Sequence, residues 1–334
     1  MATISGVIVT GSTGFIGRHL TRFLLEKNYL VIATSRSINS SLSLERPETD
    51  CNRLVHHFGC KMDQLDSLHD LFEHHKNDSQ AVVHLAAMMD FHPLNSCSSN
   101  GTSLIERMRS VNIEGSKQIF KEFLNSPEKK VFIFASSQAA MGPSEGSIPM
   151  DETSRCHPVF EYGKSKLEAE KALEQMLDEY QKNPSQGPKH LYILRFTGVT
   201  GLGDRYAAFE MIQASSFGVN SVAYPGLWLS PVINWARWMI FGIQRASFLF
   251  ASDTIDCMEQ NNAYSSQKAI SKLGYNPLTC EEAFIKSIKE HMQSGAIPHY
   301  ETVRNVRKGL LVGSVISISF CVIGFLYLKN KGID

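Results

Sequence analysis

Short runs of β-branched residues alternate with helix-length amphipathic stretches along the first two hundred residues. Val7-Ile8-Val9, Leu30–Thr34, Ala81–Leu85, Val131–Ala135 and Leu191–Arg195 read as strands. Between them, Phe15–Lys27, Leu65–His75, Ile105–Phe123 and Tyr162–Tyr180 carry the spacing of helices with one apolar face. Strands that are apolar throughout belong to a sheet covered on both faces, and strand–helix alternation makes that sheet parallel. The pattern therefore predicts a doubly wound parallel α/β sheet of the Rossmann type. Beyond Gly203 the texture changes. Tyr224–Phe250 is rich in aromatic and aliphatic residues, including Trp228, Trp235 and Trp238, and Lys268–His291 returns to an ordinary amphipathic helix. Ser37–Ser43 reads as a loop after the second strand.

Gly309–Leu328 is a stretch of 20 residues without a charge. At about 1.5 Å per residue it reaches about 30 Å, the thickness of bilayer hydrocarbon, and it is apolar on every face. It is expected to be a transmembrane helix, with Arg304, Arg307 and Lys308 before it and Lys329 and Lys331 after it. The expected topology is a single-pass C-terminal membrane anchor with the rest of the chain in the cytosol, at the endoplasmic reticulum in a eukaryotic cell.

Charge narrows the partners. Thirty-three basic residues balance 33 acidic ones, so no broad cationic surface is available for nucleic acid, and any phosphate must be handled locally. The seven cysteines follow no CxxC or metal-like spacing, and the 12 histidines form no HExxH or comparable pattern. No metal is expected, and a reducing compartment is the plainer reading.

Local phosphate handling is offered by Thr10-Gly11-Ser12-Thr13-Gly14-Phe15-Ile16-Gly17, which follows the first strand and opens a helix. Gly11 permits the turn, Gly14 lets a pyrophosphate approach the backbone, and Gly17 lets the helix pack close to the strand. Thr13, Phe15 and Ile16 lie in the same loop and are assigned to the cofactor with it. An NAD-preferring site of this kind ends its second strand on a carboxylate, whereas this chain reads Ala33-Thr34-Ser35-Arg36-Ser37. Ser35 and Arg36 suit a 2′-phosphate, which predicts a preference for NADP(H) with NAD(H) also accepted. The competing reading of Arg36 is a solvated loop cation.

Tyr162-Gly163-Lys164-Ser165-Lys166 sets Tyr162 and Lys166 four apart at the start of a helix, on one face. An ammonium beside a phenol stabilises phenolate, which suits the pair to exchange a proton with an alcohol or ketone. Ser137 closes Phe134-Ala135-Ser136-Ser137 at a strand end, where open α/β sheets place their ligands. Its hydroxyl either supports a substrate oxygen or caps the turn that follows.

Glycine loop, Ser-Ser at a strand end and Y-x-x-x-K, in this order, resemble the extended short-chain dehydrogenase/reductase superfamily. Val83–Asp90, Val111–Gly115, Leu194-Arg195 through Gly203, and Leu273–Pro277 are most similar to its 3β-hydroxysteroid dehydrogenase and sterol-4α-carboxylate 3-dehydrogenase group. The resemblance implies Tyr162 as general acid/base, Lys166 as its activator and ribose ligand, and Ser137 as donor to the carbonyl oxygen. It also implies Asp63 at the adenine, Ala86 and Ala87 lining the nucleotide cleft, and Asn112 ordering the site. The bland readings of these last four are a surface turn, helix–sheet packing and a polar helix face. A homodimer through Ile105–Phe123 and Tyr162–Tyr180 is a further implication.

The expected organisation is a dinucleotide-binding catalytic domain over 1–203, a shortened substrate lobe over 204–300, a basic linker over 301–308, the membrane helix over 309–328 and a tail over 329–334. The lobe reads as shortened because the Val-His-Val-Asp-Asp-Val-Ala-like segment of the family has no counterpart after Gly203. The expected function is a membrane-anchored oxidoreductase interconverting a secondary alcohol and a ketone on a hydrophobic, sterol-like small molecule. The alternatives are a nucleotide-sugar epimerase or dehydratase, and a dinucleotide-binding protein without turnover.

Overall fold

The computed structural model describes residues 4–36, 53–89, 103–144, 148–204 and 263–294. The described residues fall into two compact units, one holding residues up to 198 together with 263–275, the other holding 199–204 and 276–294.

In the first unit, β1 (Gly6–Thr10), β2 (Leu30–Ser35), β3 (Leu54–Phe58), β4 (Ala81–His84), β5 (Val131–Ser137) and β6 (His190–Phe196) form one parallel sheet. Its order is β3-β2-β1-β4-β5-β6. The crossovers hold α1 (Phe15–Glu26), α2 (Leu65–His74), α3 (Leu104–Arg109), α4 (Gly115–Asn125) and α5 (Glu161–Gln181). The doubly wound sheet predicted from the pattern is therefore present. Strand order reverses between β1 and β4, the point at which open α/β sheets place ligands beyond their C-terminal ends. Thr10 and His84 are paired there.

Alternation along the strands divides the core between two faces. On one, Ile8, Ile32, Val82, Phe132 and Phe134 meet Leu68, Leu71 and Phe72 of α2, Ile119, Phe120 and Phe123 of α4, and Leu173 of α5. Phe120 stands edge-on to Phe132, with ring centroids 4.9 Å apart. On the other, Val7, Val9, Val31, Ala81 and Val83 meet Leu25 of α1.

Three expectations change. β3 was not among the predicted strands; His56 and His57 interrupt its apolar run, and pairing with β2 from Val31↔Leu54 to Ser35↔Phe58 makes it an edge strand. The single helix expected over Ile105–Phe123 is divided by a π turn at Ser110–Glu114. Gly115 follows that turn where a Cβ would stand 2.7 Å from the Met62 carbonyl oxygen. The stretch Lys268–His291 is two helices, α6 (Gln267–Leu273) in the first unit and α7 (Cys280–Gln293) in the second. Gly274, at φ 64°, stops the first in a left-handed turn, and Thr279 and Glu282 form a capping box that starts the second. In the second unit Thr200 Oγ1 also donates to Ser287 Oγ at 2.8 Å. Among the described residues no helix is long and apolar enough to cross a membrane. Gly309–Leu328, Tyr224–Phe250 and Ser37–Ser43 lie outside the described residues.

A buried lysine finishes α4. Lys189, 2% exposed, donates to the carbonyl oxygens of Phe123 at 3.0 Å, Lys129 at 2.7 Å and Ser126. Burial pulls its amine down to about 8, which still leaves it charged at pH 7. Its ammonium also lies 4.8 Å from the centre of the Phe123 ring. Lys189→Met keeps the stem and removes these three charge-assisted hydrogen bonds, so unfolding in urea should show a loss of about 3 kcal/mol.

Candidate active site

The glycine loop joins β1 to α1, and its shape depends on missing side chains. Gly11 sits at φ 67°, and a Cβ there would stand 2.8 Å from the Ala86 nitrogen. Gly14 donates its N–H to the Gly11 carbonyl at 2.9 Å and begins α1 as its N-cap. Gly17 is the tightest point: a Cβ would lie 2.1 Å from the Gly11 oxygen and 2.7 Å from Ser12 Cα. Ser12 ties the loop to β2 through a 2.7 Å bond from its hydroxyl to the Thr34 carbonyl.

The N-terminus of α1 receives no side-chain cap and carries no acid in its first turn. Its amides and its positive dipole end are thus open to an anion. With the close approach of Gly11 to Ala86, this cradle fits a dinucleotide pyrophosphate. At the end of β2, Ser35 is buried and Arg36 exposed. Beyond β3 Asp63 is exposed, and beyond β4 Ala86 is half-buried and Ala87 exposed. Neighbouring Cys60 is buried, and burial pushes its thiol up to about 11, so it is inert.

The second half of the site is built on β5 and α5. Ser137 ends β5, and its hydroxyl accepts the Ala139 N–H at 3.2 Å in the short turn Gln138–Ala140. Both readings of this residue are compatible: the cap uses a lone pair, and the hydroxyl proton remains for a ligand. Gly163 lets α5 close on the same turn, since a Cβ there would stand 2.1 Å from the Ala139 oxygen. Tyr162 and Lys166 are thereby carried to the end of β5 that bears Ser137. Lys166 is 2% exposed; its ammonium donates to the Ala135 carbonyl at 2.8 Å and lies 4.7 Å from the centre of the Phe134 ring. Burial lowers its amine to about 8, against which the Glu170 carboxylate pulls upward.

Two hydrogen-bonded clusters complete the arrangement. Asn112, placed by the π turn, accepts the Met88 N–H at 2.7 Å and donates to Met88 O at 2.9 Å and Ser165 Oγ at 3.1 Å. Ser165 in turn donates to Tyr162 O at 2.7 Å. The ordering role implied for Asn112 has this geometry behind it. The other cluster was not anticipated. Ala86 N–H donates to Thr10 Oγ1 at 3.2 Å, Thr10 Oγ1 meets His84 Nδ1 at 2.7 Å, and His84 Nε2 meets Ser116 Oγ at 3.1 Å. The Ser116 hydroxyl donates to Asn112 O at 2.7 Å. Burial, and secondarily the Lys166 charge, hold His84 down to about 3, so it is neutral. The sequence signal was the apolar setting of His84 itself, where a histidine needs partners on both ring nitrogens. Among the described residues no group of His, Cys, Asp or Glu is disposed to hold a metal.

Curated relatives are similar to the chain over part of their length. The chain is 31% identical over 169 residues to the UDP-glucose 4-epimerase of Yersinia enterocolitica, covering 50% of this chain and 47% of that one. It is 25% identical over 185 residues to the NADPH-dependent methylglyoxal reductase GRE2 of Saccharomyces cerevisiae, covering 52% and 53%. The chain thus spans about half the length of these curated relatives. Among solved structures, the UDP-glucose 4-epimerase of Thermotoga maritima has a TM-score of 0.59 at 20% identity, covering 86% of this chain and 99% of that one. Yeast Gre2 complexed with NADPH has a TM-score of 0.62 at 15% identity, covering 87% and 99%. These two share the fold. The model of the NAD dependent epimerase/dehydratase family matches residues 7–261, most of the chain, and to that family the protein belongs.

Proposed function

We propose that the protein is an NAD(P)(H)-dependent oxidoreductase that interconverts a secondary alcohol and a ketone. The observation that carries this reading is the junction of β5 and α5, where a buried Lys166 ammonium anchored to Ala135 O accompanies Tyr162 and Ser137. In the reducing direction the Tyr162 hydroxyl gives its proton to the substrate oxygen, and Ser137 donates a hydrogen bond to that oxygen as charge develops on it. Lys166 stabilises the phenolate left on Tyr162. In the oxidising direction the same groups act in reverse. A nicotinamide dinucleotide, when bound, would supply the hydride chemistry in either direction. The glycine loop and the N-terminus of α1 would hold its pyrophosphate.

The exposed Arg36, with no carboxylate at the end of β2, supports NADP(H) as the preferred form. Because Ser35 is buried, the 2′-phosphate falls mainly to Arg36. Arg36→Ala should raise the KM for NADPH roughly tenfold, one charge-assisted contact, and leave that for NADH nearly unchanged. Equal effects on both would remove the preference.

For the substrate, the motif blocks that resemble 3β-hydroxysteroid dehydrogenases support a sterol-like alcohol or ketone. The apolar stretch Gly309–Leu328, as a membrane anchor, is in keeping with a lipid-soluble substrate. The second reading, nucleotide-sugar epimerisation, is favoured by the relatives, several of which are named UDP-glucose 4-epimerases. NADPH absorbance with a panel of sterol ketones, small carbonyls and UDP-hexoses separates them. Net oxidation of NADPH by a carbonyl supports the oxidoreductase. Interconversion of UDP-hexoses without net change in absorbance supports the epimerase, and cofactor binding with neither leaves a dinucleotide-binding protein.

A further inference from the structure

Tyr162, Lys166 and Glu170 succeed one another at four-residue intervals, so they share one face of α5. Glu170 is 1% exposed and takes no part in the chemistry described above. It accepts a hydrogen bond from the Ser136 hydroxyl, and Arg195 grips it with Nε at 3.1 Å and Nη2 at 2.6 Å. Ser136 and Arg195 are register partners on β5 and β6. Two successive residues of β5 are therefore fastened to two successive turns of α5, Ala135 through its carbonyl to Lys166 and Ser136 through its hydroxyl to Glu170. The next residue of β5 is Ser137.

We propose that Glu170 is a positioning residue for the Tyr162/Lys166 pair, pinning α5 to β5 beside Ser137 and setting a negative charge behind the Lys166 ammonium. A purely mechanical clasp needs no charge here, because a buried ion pair adds little to stability over well-packed apolar residues. The electrostatic part follows from the neighbours of Lys166. α5 presents Tyr162 and Glu170, β4 presents the neutral His84, β5 presents only the Phe134 ring and the Ala135 carbonyl, and β6 presents Arg195 behind Glu170. Cys156 and Glu174 lie near enough to Arg195 to favour its charged form. Glu170 is thus the anion among these neighbours, and Arg195 works against it from further away.

The two charges act on Lys166 with opposite sign, and that makes a test. In the full-length chain with isotope-labelled lysine, the Lys166 side-chain signal, assigned by its loss in Lys166→Arg, is followed by NMR across pH. Glu170→Gln keeps the shape and removes the anion; the Lys166 midpoint should fall by roughly one pH unit. Arg195→Gln should raise it, and Glu170→Asp should hold it near that of the unmodified protein. The alkaline limb of kcat should move with each midpoint, whereas a structural clasp would lower activity without displacing the limb.

An unmoved midpoint in Glu170→Gln, or displacement in the same direction by Glu170→Gln and Arg195→Gln, overturns the proposal. Should Glu170→Gln not fold, a downward or absent displacement in Arg195→Gln overturns it alone. The kinetic arm rests on the oxidoreductase reading, and the NMR arm does not. A protein that turns over no substrate but shows opposite displacements refutes that reading and retains this one.

Discussion

Tyr162→Phe should lower kcat by about three orders of magnitude while leaving dinucleotide affinity within a few-fold. The substitution removes one oxygen from a side chain whose backbone carbonyl remains bound to Ser165, which keeps the start of α5 tied down. What is lost is the proton donor, a contribution made only as the substrate oxygen gains charge. Such a contribution appears in kcat and kcat/KM equally. Fluorescence titration of NADPH alongside single-turnover rates reads both quantities. A fall in affinity parallel to the fall in rate would instead place Tyr162 in ground-state binding. In the unmodified protein the rate should decline above about pH 8, where the buried Lys166 loses the proton that stabilises phenolate.

Gly17→Ala should be nearly as damaging by a different route. The added methyl would lie 2.1 Å from the Gly11 oxygen and 2.7 Å from Ser12 Cα, both main-chain atoms that no side-chain rotation can clear. Relief requires α1 to move off β1, and overpacking of this kind costs roughly 2–3 kcal/mol. The same movement opens the turn that aims the α1 amides. NADPH affinity should accordingly fall at least tenfold in protein that remains folded, as judged by urea unfolding and fluorescence titration. A variant that is destabilised but binds normally would show that the loop does not shape the site.

These two predictions rest on features that are local in sequence and therefore visible there: a glycine at each constrained backbone position, and two side chains one helical turn apart. What escaped the reading depends on chain segments far apart. β3 became a strand through its pairing with β2, although His56 and His57 obscured its pattern. The π turn around Asn112 adds one residue to a helical period that otherwise looks regular, and Gly115 after it packs closely on Met62 of another crossover. Ser35 looked like an open strand end and is buried. Glu170 gains its partners only through the fold, where β5 and β6 bring Ser136 and Arg195 against it.

The bonds around His84 all run one way. Because Ser116 spends its proton on Asn112 O, it must receive the His84 Nε2 proton, and Nδ1 must then receive the one from Thr10. Both ring nitrogens are committed, and a second proton on the imidazole would require Thr10 to turn away from it. Mild acid therefore has no local grip on the junction between β1 and β4. It acts through the unfolded chain, where the freed imidazole takes up a proton near its ordinary value of 6.5 while the folded one waits until about 3. Across that interval His84 erodes stability as pH falls, yet every molecule still folded keeps the same wiring at its nucleotide cleft.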